Sequence, residues 1–516
     1  MAEQAKLTGP DLSAGVDASS IADGGKLLGH AQGEAVLVAR VGGDFLAIAA
    51  TCTHYGGPLA EGVVEGDTVR CPWHHACFSL RTGEALRAPA LNPVACWKTE
   101  QRGGKVFVTQ KTERDPLAPT YPAAVNKSAT PTRVVIIGGG AAGSAAAEML
   151  RRCGYSGSVT IVDDDTGAPY DRPNLSKDYL AGNAPEEWIP LRPDGFYAEH
   201  KIDIVRARVS AIDVAKKTVD VAGRAPLSYD ALLIATGADP IRLNIPGDNL
   251  PHVHFLRSLA DSRSIIAAAK EAKHAVVVGA SFIGLEVAAS LRARNIGVDV
   301  VAPEKLPLER ILGEHLGEFI KTYHESKGVV FHLGRKPQSV DKTSVTLDDG
   351  SKLEADLVVM GVGVRPRLDL PEKAGLAMDK GVAVNEFLES SVPGVYAAGD
   401  IARWPDAYSG ERIRVEHWVV AQRMGQVAAR NILGAREKFE YAPFFWSHHY
   451  DVSINYVGHA EKWDSVNVDG HAAKHDVAVR FLRDGKTLAL ATIYRDEESL
   501  KEEIEMESSA LSSRTP

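Results

Sequence analysis

Arg133-Val-Val-Ile-Ile137-Gly138-Gly-Gly140-Ala-Ala-Gly143 is a continuous β-branched run that opens onto spaced glycines and an Ala-rich helix. Glycines placed there permit a tight strand-to-helix turn and let a pyrophosphate approach the helix N-terminus. One such pattern alone is weak evidence. Here a second strand, Ser158–Val162, follows and ends in Asp163-Asp164-Asp165, where a carboxylate can bind ribose hydroxyls. The design returns at Ala275–Val278, which opens onto Gly279-Ala-Ser281-Phe-Ile-Gly284-Leu-Glu286. Ser281 replaces the middle glycine and puts a small side chain near the pyrophosphate. The next strand, Val298–Val301, leads to Ala302-Pro303-Glu304-Lys305. Glu304 would accept from an adenosine ribose and disfavour a 2′-phosphate, which favours NADH; Lys305 and Arg310 leave NADPH open. The bland reading of the Glu304-Lys305 pair is a solvated loop. Two dinucleotide-binding folds, far apart in sequence, are therefore expected.

Upstream the style differs. From about residue 20 to 111, short alternating segments (AVLVARV, DFLAIAA, DTVRC, KVFVTQ) predict a small antiparallel β domain. Two of its loops carry Cys52-Thr-His54 and Cys71-Pro-Trp-His74. Two thiolates and two imidazoles are what a Rieske [2Fe–2S] cluster needs, cysteines on one iron and histidines on the other. Zinc could use the same four residues tetrahedrally. The flanking Gly56-Gly57-Pro58 and Pro72-Trp73 favour iron–sulfur, and with it single-electron chemistry. His75 follows the last ligand, where glycine is common, and its side chain is expected to point to solvent. The proline-rich stretch from Asp115 to Thr132 reads as a linker. From about Tyr441 the chain holds aromatic, β-prone segments and an acidic, helical tail.

At 516 residues the chain should hold three or four domains. It is 45% hydrophobic and 24% charged, with net charge −9 and no basic run interleaved with aromatics, so nucleic acid is not an expected partner. No apolar stretch reaches membrane-spanning length, and the first residues have neither secretory nor transit character, which makes the cytoplasm the expected location and a membrane no partner. Of five cysteines, two are assigned to the cluster. Cys77, Cys96 and Cys153 remain, too few for a disulfide framework.

Several spaced motifs then carry a resemblance. Pro169-Tyr-Asp-Arg172-Pro-Asn-Leu-Ser-Lys177, Tyr229 to Gly237, Gly361-Val-Gly363-Val-Arg-Pro366 and Val395-Tyr-Ala-Ala-Gly399-Asp400 are four of them. Arg414-Val-Glu416-His-Trp418 and Phe445-Trp446-Ser447 complete the set. Residues 132 to about 510 resemble the FAD-dependent ferredoxin-reductase branch of the pyridine-nucleotide oxidoreductases, which includes apoptosis-inducing factor. With the Rieske module in front, the whole chain resembles the Rieske-bearing relatives of that factor.

The resemblance implies that Gly138, Gly140, Gly143 and Asp164 hold the adenosine diphosphate half of FAD. Arg172 and Lys177 would lie by the flavin or its pyrophosphate, Thr236 and Gly237 would line the cofactor, and Asp400 would bind the ribityl chain. Gly279, Ser281, Gly284, Glu304 and Gly363 would receive NAD. Glu286 would sit near the nicotinamide and Trp418 close to the isoalloxazine, so that Glu286, Trp418 and Lys177 form the catalytic set. For Trp418, and more evenly for Trp446, core packing is the alternative. The disulfide reductases of the superfamily place cysteine beside the flavin. Tyr170–Lys177 contains none, which disfavours thiol chemistry. Ala76 and Phe78 stand where high-potential Rieske proteins carry hydroxyl donors to the sulfurs, so a potential of roughly −150 mV is expected.

The expected architecture is α/β plus small all-β. It comprises a Rieske β domain (1–111), a linker (112–131), a Rossmann-like FAD domain in two parts (132–252 and 376–440), an NAD(P)-binding Rossmann-like domain (253–375) and a C-terminal α+β domain (441–516). The expected function is an NAD(P)H-dependent flavin oxidoreductase that passes electrons through FAD to its own cluster and on to a one-electron acceptor protein such as an oxygenase, a haem protein or a ferredoxin. A homodimer is left open. Two alternatives stand beside it: a ferredoxin reductase whose Rieske module docks or regulates, and an NADH-responsive interaction protein.

Overall fold

The computed structural model describes residues 7–113 and 130–512; the linker expected from 112 to 131 falls almost wholly outside the described residues. The N-terminal strands form two antiparallel sheets. One has six strands, ordered Val16–Asp17, Lys105–Thr112, Cys96–Arg102, Asp44–Ala49, Glu34–Val41, Lys26–Ala31; the other has four short strands between Val63 and Arg87. The strand Glu34–Val41 shows how period-two alternation divides the domain. Leu37 and Ala39 face a core shared with Cys52 and Cys71, whereas Val36 and Val38 face a second core built around Trp97.

Each dinucleotide unit is a five-stranded parallel sheet. The first is ordered Ile202–Arg206, Ser158–Asp163, Arg133–Ile137, Ala231–Ile234, Val395–Ala397, so its last strand arrives only after the second unit has been completed. The second is ordered Val253–Phe255, Leu357–Met360, His274–Val278, Gly297–Ala302, Val329–Leu333. The central strands of both are buried on both faces, which is why they read as unbroken apolar runs rather than alternating ones. The helix Ala141–Arg152 packs on the helix Trp418–Ile432 with almost no spacer. A Cβ at Gly425 would lie 2.1 Å from the Ala142 carbonyl oxygen, so the two backbones meet directly there.

The C-terminal part is a five-stranded antiparallel sheet, ordered Phe444–His449, Val452–Gly458, Lys486–Ile493, Asp476–Arg483, Ser465–His471, followed by the helix Asp496–Ser512. That acidic helix is not solvated on all sides: Glu503 is 0% exposed and Ser499 is buried with it. Among the described residues no helix is long and apolar enough to cross a membrane.

Candidate functional site

A continuous cleft of about 2100 Å³ runs along the two parallel sheets and the C-terminal sheet. Its first wall is the turn after Arg133–Ile137. Gly138 has φ +101°, and a Cβ there would meet the Ala235 carbonyl oxygen at 2.3 Å, so only glycine fits. A Cβ at Gly143 would lie 1.9 Å from the Gly138 oxygen, whereas one at Gly140 would meet nothing within 4 Å. Two glycines therefore close the turn while the third leaves open space in the cleft. The second unit repeats the closure with Gly279 (φ +108°) and Gly284, but not the middle position. The Ser281 hydroxyl donates to the Gly361 carbonyl at 2.7 Å and accepts from the Gly284 amide at 3.3 Å, capping the helix Phe282–Ala293. The serine thus strengthens the turn.

Gly138, Gly140, Asp164, Arg172, Lys177, Thr236, Gly237, Asp400 and Trp418 line the cleft, as do Ser281, Glu286 and Gly363. Gly143, Gly279 and Gly284 are absent from the lining, and so is Glu304, which follows the strand Gly297–Ala302. Arg172 pairs with Asp165 at 3.2 Å, and Asp164 stands 3.4 Å from Arg367. Arg257, which sequence reasoning missed, donates to Asp400 at 2.7 Å. Glu286 is buried; it accepts from Lys177 Nζ at 2.8 Å and from Ser447 Oγ at 2.6 Å.

The four sulfur and nitrogen donors come together at the loop tips of the N-terminal domain, in pairs. His54 Nδ1 and His74 Nδ1 lie 3.2 Å apart, with their rings nearly perpendicular. Cys52 and Cys71 are both buried; their mutual contact pulls the Cys52 thiol below the ordinary range and, together with burial, pushes Cys71 well above it. Backbone amides of His54 and Tyr55 point at the Cys52 sulfur, and those of Trp73 and His74 at the Cys71 sulfur. Burial holds the His54 imidazole at about 3 and the His74 imidazole well below its usual value, so both are neutral, as metal ligation requires. Among the described residues no three His, Cys, Asp or Glu side chains converge on one metal point. Two donors per iron, nitrogens on one side and sulfurs on the other, is the set a [2Fe–2S] cluster takes.

These loop tips are seated on the cleft. The His74 ring packs on Trp446 with centroids 4.3 Å apart, and His54 approaches the same indole at 6.2 Å. Trp446 lines the cleft and lies under Lys177, whose Nζ is 5.9 Å from the ring centroid. Trp446 also packs against a small core that includes Val419 and Phe444, so core packing and a place on the cleft wall coexist in it. Tyr55 stacks on His54 and donates its hydroxyl to the buried Asp171. Trp418 begins the helix Trp418–Ile432 and is both packed against the core and exposed to the cleft, so its two readings coexist.

A second face of the N-terminal domain is ionic. Arg70 donates to Glu503 at 2.8 Å and to Glu507 at 2.9 Å; Arg423 donates to the other Glu503 oxygen at 2.7 Å. Arg87 joins Glu507 at 2.8 Å, and Arg152 pairs with Glu84. Burial alone would push the Glu503 carboxyl up, but Arg423, His75 and Arg70 together hold it well below the usual range. His75 belongs here, which corrects the expectation that it points to solvent. It is 0% exposed, stacks on Phe444 at 3.9 Å, faces Glu503 at 3.1 Å, and its carbonyl accepts from Arg423 at 2.9 Å. Its φ of +58° explains why a glycine is common there, and the partners that hold it lie more than 340 residues away, beyond any local signal.

Fold and site together define a two-nucleotide flavoprotein with an iron–sulfur domain docked on its cleft. Residues 132–425 match the pyridine nucleotide-disulphide oxidoreductase family, residues 16–98 match the Rieske [2Fe-2S] domain, and residues 444–508 match the reductase C-terminal domain. The chain belongs to the pyridine nucleotide-disulphide oxidoreductase family, as a Rieske-bearing, ferredoxin-reductase-like member that uses FAD, NAD(P)H and a [2Fe–2S] cluster. It is an NAD(P)H-dependent oxidoreductase. Human (Homo sapiens) apoptosis-inducing factor 3 is 32% identical over 476 residues, covering 89% of this chain and 78% of that protein. Putidaredoxin reductase CamA of Pseudomonas putida is 33% identical, covering 70% of this chain and 88% of that one. Among solved structures, the covalent putidaredoxin reductase–putidaredoxin complex superposes with a TM-score of 0.70 at 32% identity, over 73% of this chain and 93% of that one.

Proposed function

We propose that this chain takes electrons from NADH in its cleft and delivers them through its own Rieske domain to a one-electron acceptor protein. The seat of His74 on Trp446 carries this reading, because it joins a cluster ligand to the wall of the nucleotide cleft through one indole. When bound, the flavin accepts a hydride and the cluster moves electrons singly, which turns a two-electron donor into a one-electron source.

The chain's own residues bind and orient. Gly138, Gly140, Gly143 and Asp164 would take the adenosine diphosphate half of FAD, with the helix N-terminus at Ala141 facing the pyrophosphate. Arg172, Thr236, Gly237 and Asp400 would line it further along, with Arg257 fixing Asp400. Gly279, Ser281, Gly284 and Gly363 would receive the nicotinamide dinucleotide, and Glu304 supports NADH over NADPH. Lys177 places a cation beside the flavin position and is itself oriented by Glu286. Trp418 would cover one ring face. Cys52, His54, Cys71 and His74 would hold the cluster. Ala76 and Phe78, both buried and without hydroxyls, support a potential near the low end, roughly −150 mV. An acceptor of the ferredoxin class is supported by the relative that forms a complex with putidaredoxin.

Anaerobic mixing with NADH, followed by flavin absorbance and by paramagnetic resonance of the cluster, tests the reading. Cluster reduction is expected to follow flavin bleaching at a rate independent of protein concentration. A bleached flavin beside a cluster that stays oxidised would overturn it.

A further inference from the structure

Behind Lys177 and Glu286 a line of buried polar groups leaves the cleft. Glu286 Oε1 accepts from the Ser447 hydroxyl at 2.6 Å, and Ser447 Oγ lies 3.0 Å from His449 Nε2. His449 Nδ1 lies 3.2 Å from His324 Nε2. Ser447 and His449 belong to the strand Phe444–His449, and His324 to the helix Glu309–Ser326 of the second dinucleotide unit, so the line crosses a domain boundary. All four residues are buried. At the outer end, His324 Nδ1 and the nearby Tyr450 hydroxyl are buried without a hydrogen-bond partner among the described residues.

We propose that Ser447, His449 and His324 form a one-proton relay that loads Glu286 when the flavin is reduced and unloads it when the flavin is reoxidised. The inference rests on the flavin placement proposed above. Hydride transfer breaks the nicotinamide C–H bond with its electron pair, and once the cationic NAD(P)⁺ leaves, the cleft would carry one extra negative charge beside Lys177 and Glu286. A solvent proton on Glu286 cancels that charge. As two electrons leave singly to the acceptor, this proton returns to solvent and the hydride's own proton follows. The sum is NAD(P)H giving NAD(P)⁺, one proton and two electrons.

The hydrogen bonds suit such a shuttle because they reverse as a unit. With Glu286 ionised, Ser447 must donate to it, so Ser447 accepts from His449 Nε2–H. His449 Nδ1 is then bare and accepts from His324 Nε2–H, which leaves His324 Nδ1 open to receive. A proton arriving there shifts every hydrogen one bond inward and ends on Glu286. The reversed line conducts outward only. Burial holds His449 at about 3 and His324 well below its usual value, so both rings are neutral and can exchange tautomers. The titratable groups facing the line are Lys177 and Ser176 at Glu286, Lys177 and His448 around His449, and Tyr323 and Tyr450 around His324.

Rapid mixing of the full chain with NADH, in weakly buffered solution with a pH-indicator dye, tests the relay without any acceptor. In the wild type, uptake of one solvent proton is expected to keep pace with reduction of the flavin. His449→Gln, whose amide keeps a hydrogen bond but cannot exchange tautomers, should slow that uptake several-fold without changing its final extent, as should Ser447→Ala. Ser447→Thr, which keeps the hydroxyl, should restore the rate. Nitrogen NMR of the histidines adds a readout that needs no cofactor: Nε2–H tautomers at both rings in the wild type, Nδ1–H at both in Glu286→Gln. Equal uptake rates in wild type and His449→Gln, or tautomers indifferent to Glu286→Gln, overturn the relay. Slowed uptake in a chain whose cluster NADH never reduces would leave the relay standing and sink the electron route.

Discussion

The N-terminal domain meets the rest of the chain through two faces of opposite chemistry. On one, His54, His74 and Tyr55 lie on Trp446 and Asp171, a small aromatic contact with one part-buried hydrogen bond. On the other, Arg70, His75 and Arg87 enter a cluster with Arg423, Glu503 and Glu507. Charges that deep are costly to desolvate and stabilise only when their geometry is satisfied, so the second face sets position more than it adds affinity. The first face can then be thin, because the second already holds His54 and His74 against the cleft. Docking is thereby separated in space from the electron route proposed above.

The largest expected effect lies on the ionic face. Glu503→Ala leaves two buried guanidiniums without their shared carboxylate and should cost about 3–5 kcal/mol. Thermal unfolding would read the loss, with solution scattering showing a detached N-terminal domain; an unchanged melting temperature would contradict the division of labour. Next comes the aromatic face. Trp446→Ala should lose roughly 2–3 kcal/mol of packing for a half-buried indole and slow cluster reduction far more than flavin bleaching, as rapid-mixing spectroscopy would show.

The two faces should also answer pH in opposite senses. Burial raises the Asp171 carboxyl to about 6 from an ordinary 3.8, although Tyr55 draws it down. The native state therefore binds the extra proton in that window, and this group's contribution to stability falls as pH rises through it. Glu503 is held well below its ordinary 4.5, so its contribution is complete above 4.5 and is lost only as pH falls through the lower native value. Tyr55→Phe should accordingly cost about 1–3 kcal/mol above pH 6 and less below it, in unfolding curves taken across that range. The smallest effect is expected away from both faces. Ser281→Gly removes a helix cap and should cost only a few tenths of a kcal/mol, with cluster reduction intact.

Much of this was legible in the chain because its signals are local. A β-branched run ending in Gly138 or Gly279 specifies its own turn, and Cys52, His54, Cys71 and His74 sit on two short loops whose spacing and flanking Gly56-Gly57-Pro58 and Pro72-Trp73 already point to a ligand set. The docking was not legible. Arg70 finds Glu503 across 433 residues and Arg152 finds Glu84 across 68, and nothing beside Glu503 separates it from a solvated helix face. His75 shows the limit most clearly. Its neighbours suggest an exposed loop residue, and only the fold brings Phe444 and Arg423 to it. Ser447 and His449 were hidden for a similar reason: they alternate on one strand, and their partners come from two other elements.

The backbone at His75 bears on how portable the N-terminal module is. A left-handed non-glycine residue costs on the order of 1–2 kcal/mol, tolerable only while neighbours hold it. Excised as residues 7–113, the module would keep that cost and forfeit Phe444, Arg423 and Glu503, so His75→Gly should stabilise the free fragment yet weaken the intact chain. A substitution whose sign inverts between part and whole marks a domain that has co-adapted to its host and is no longer interchangeable with free-standing cousins.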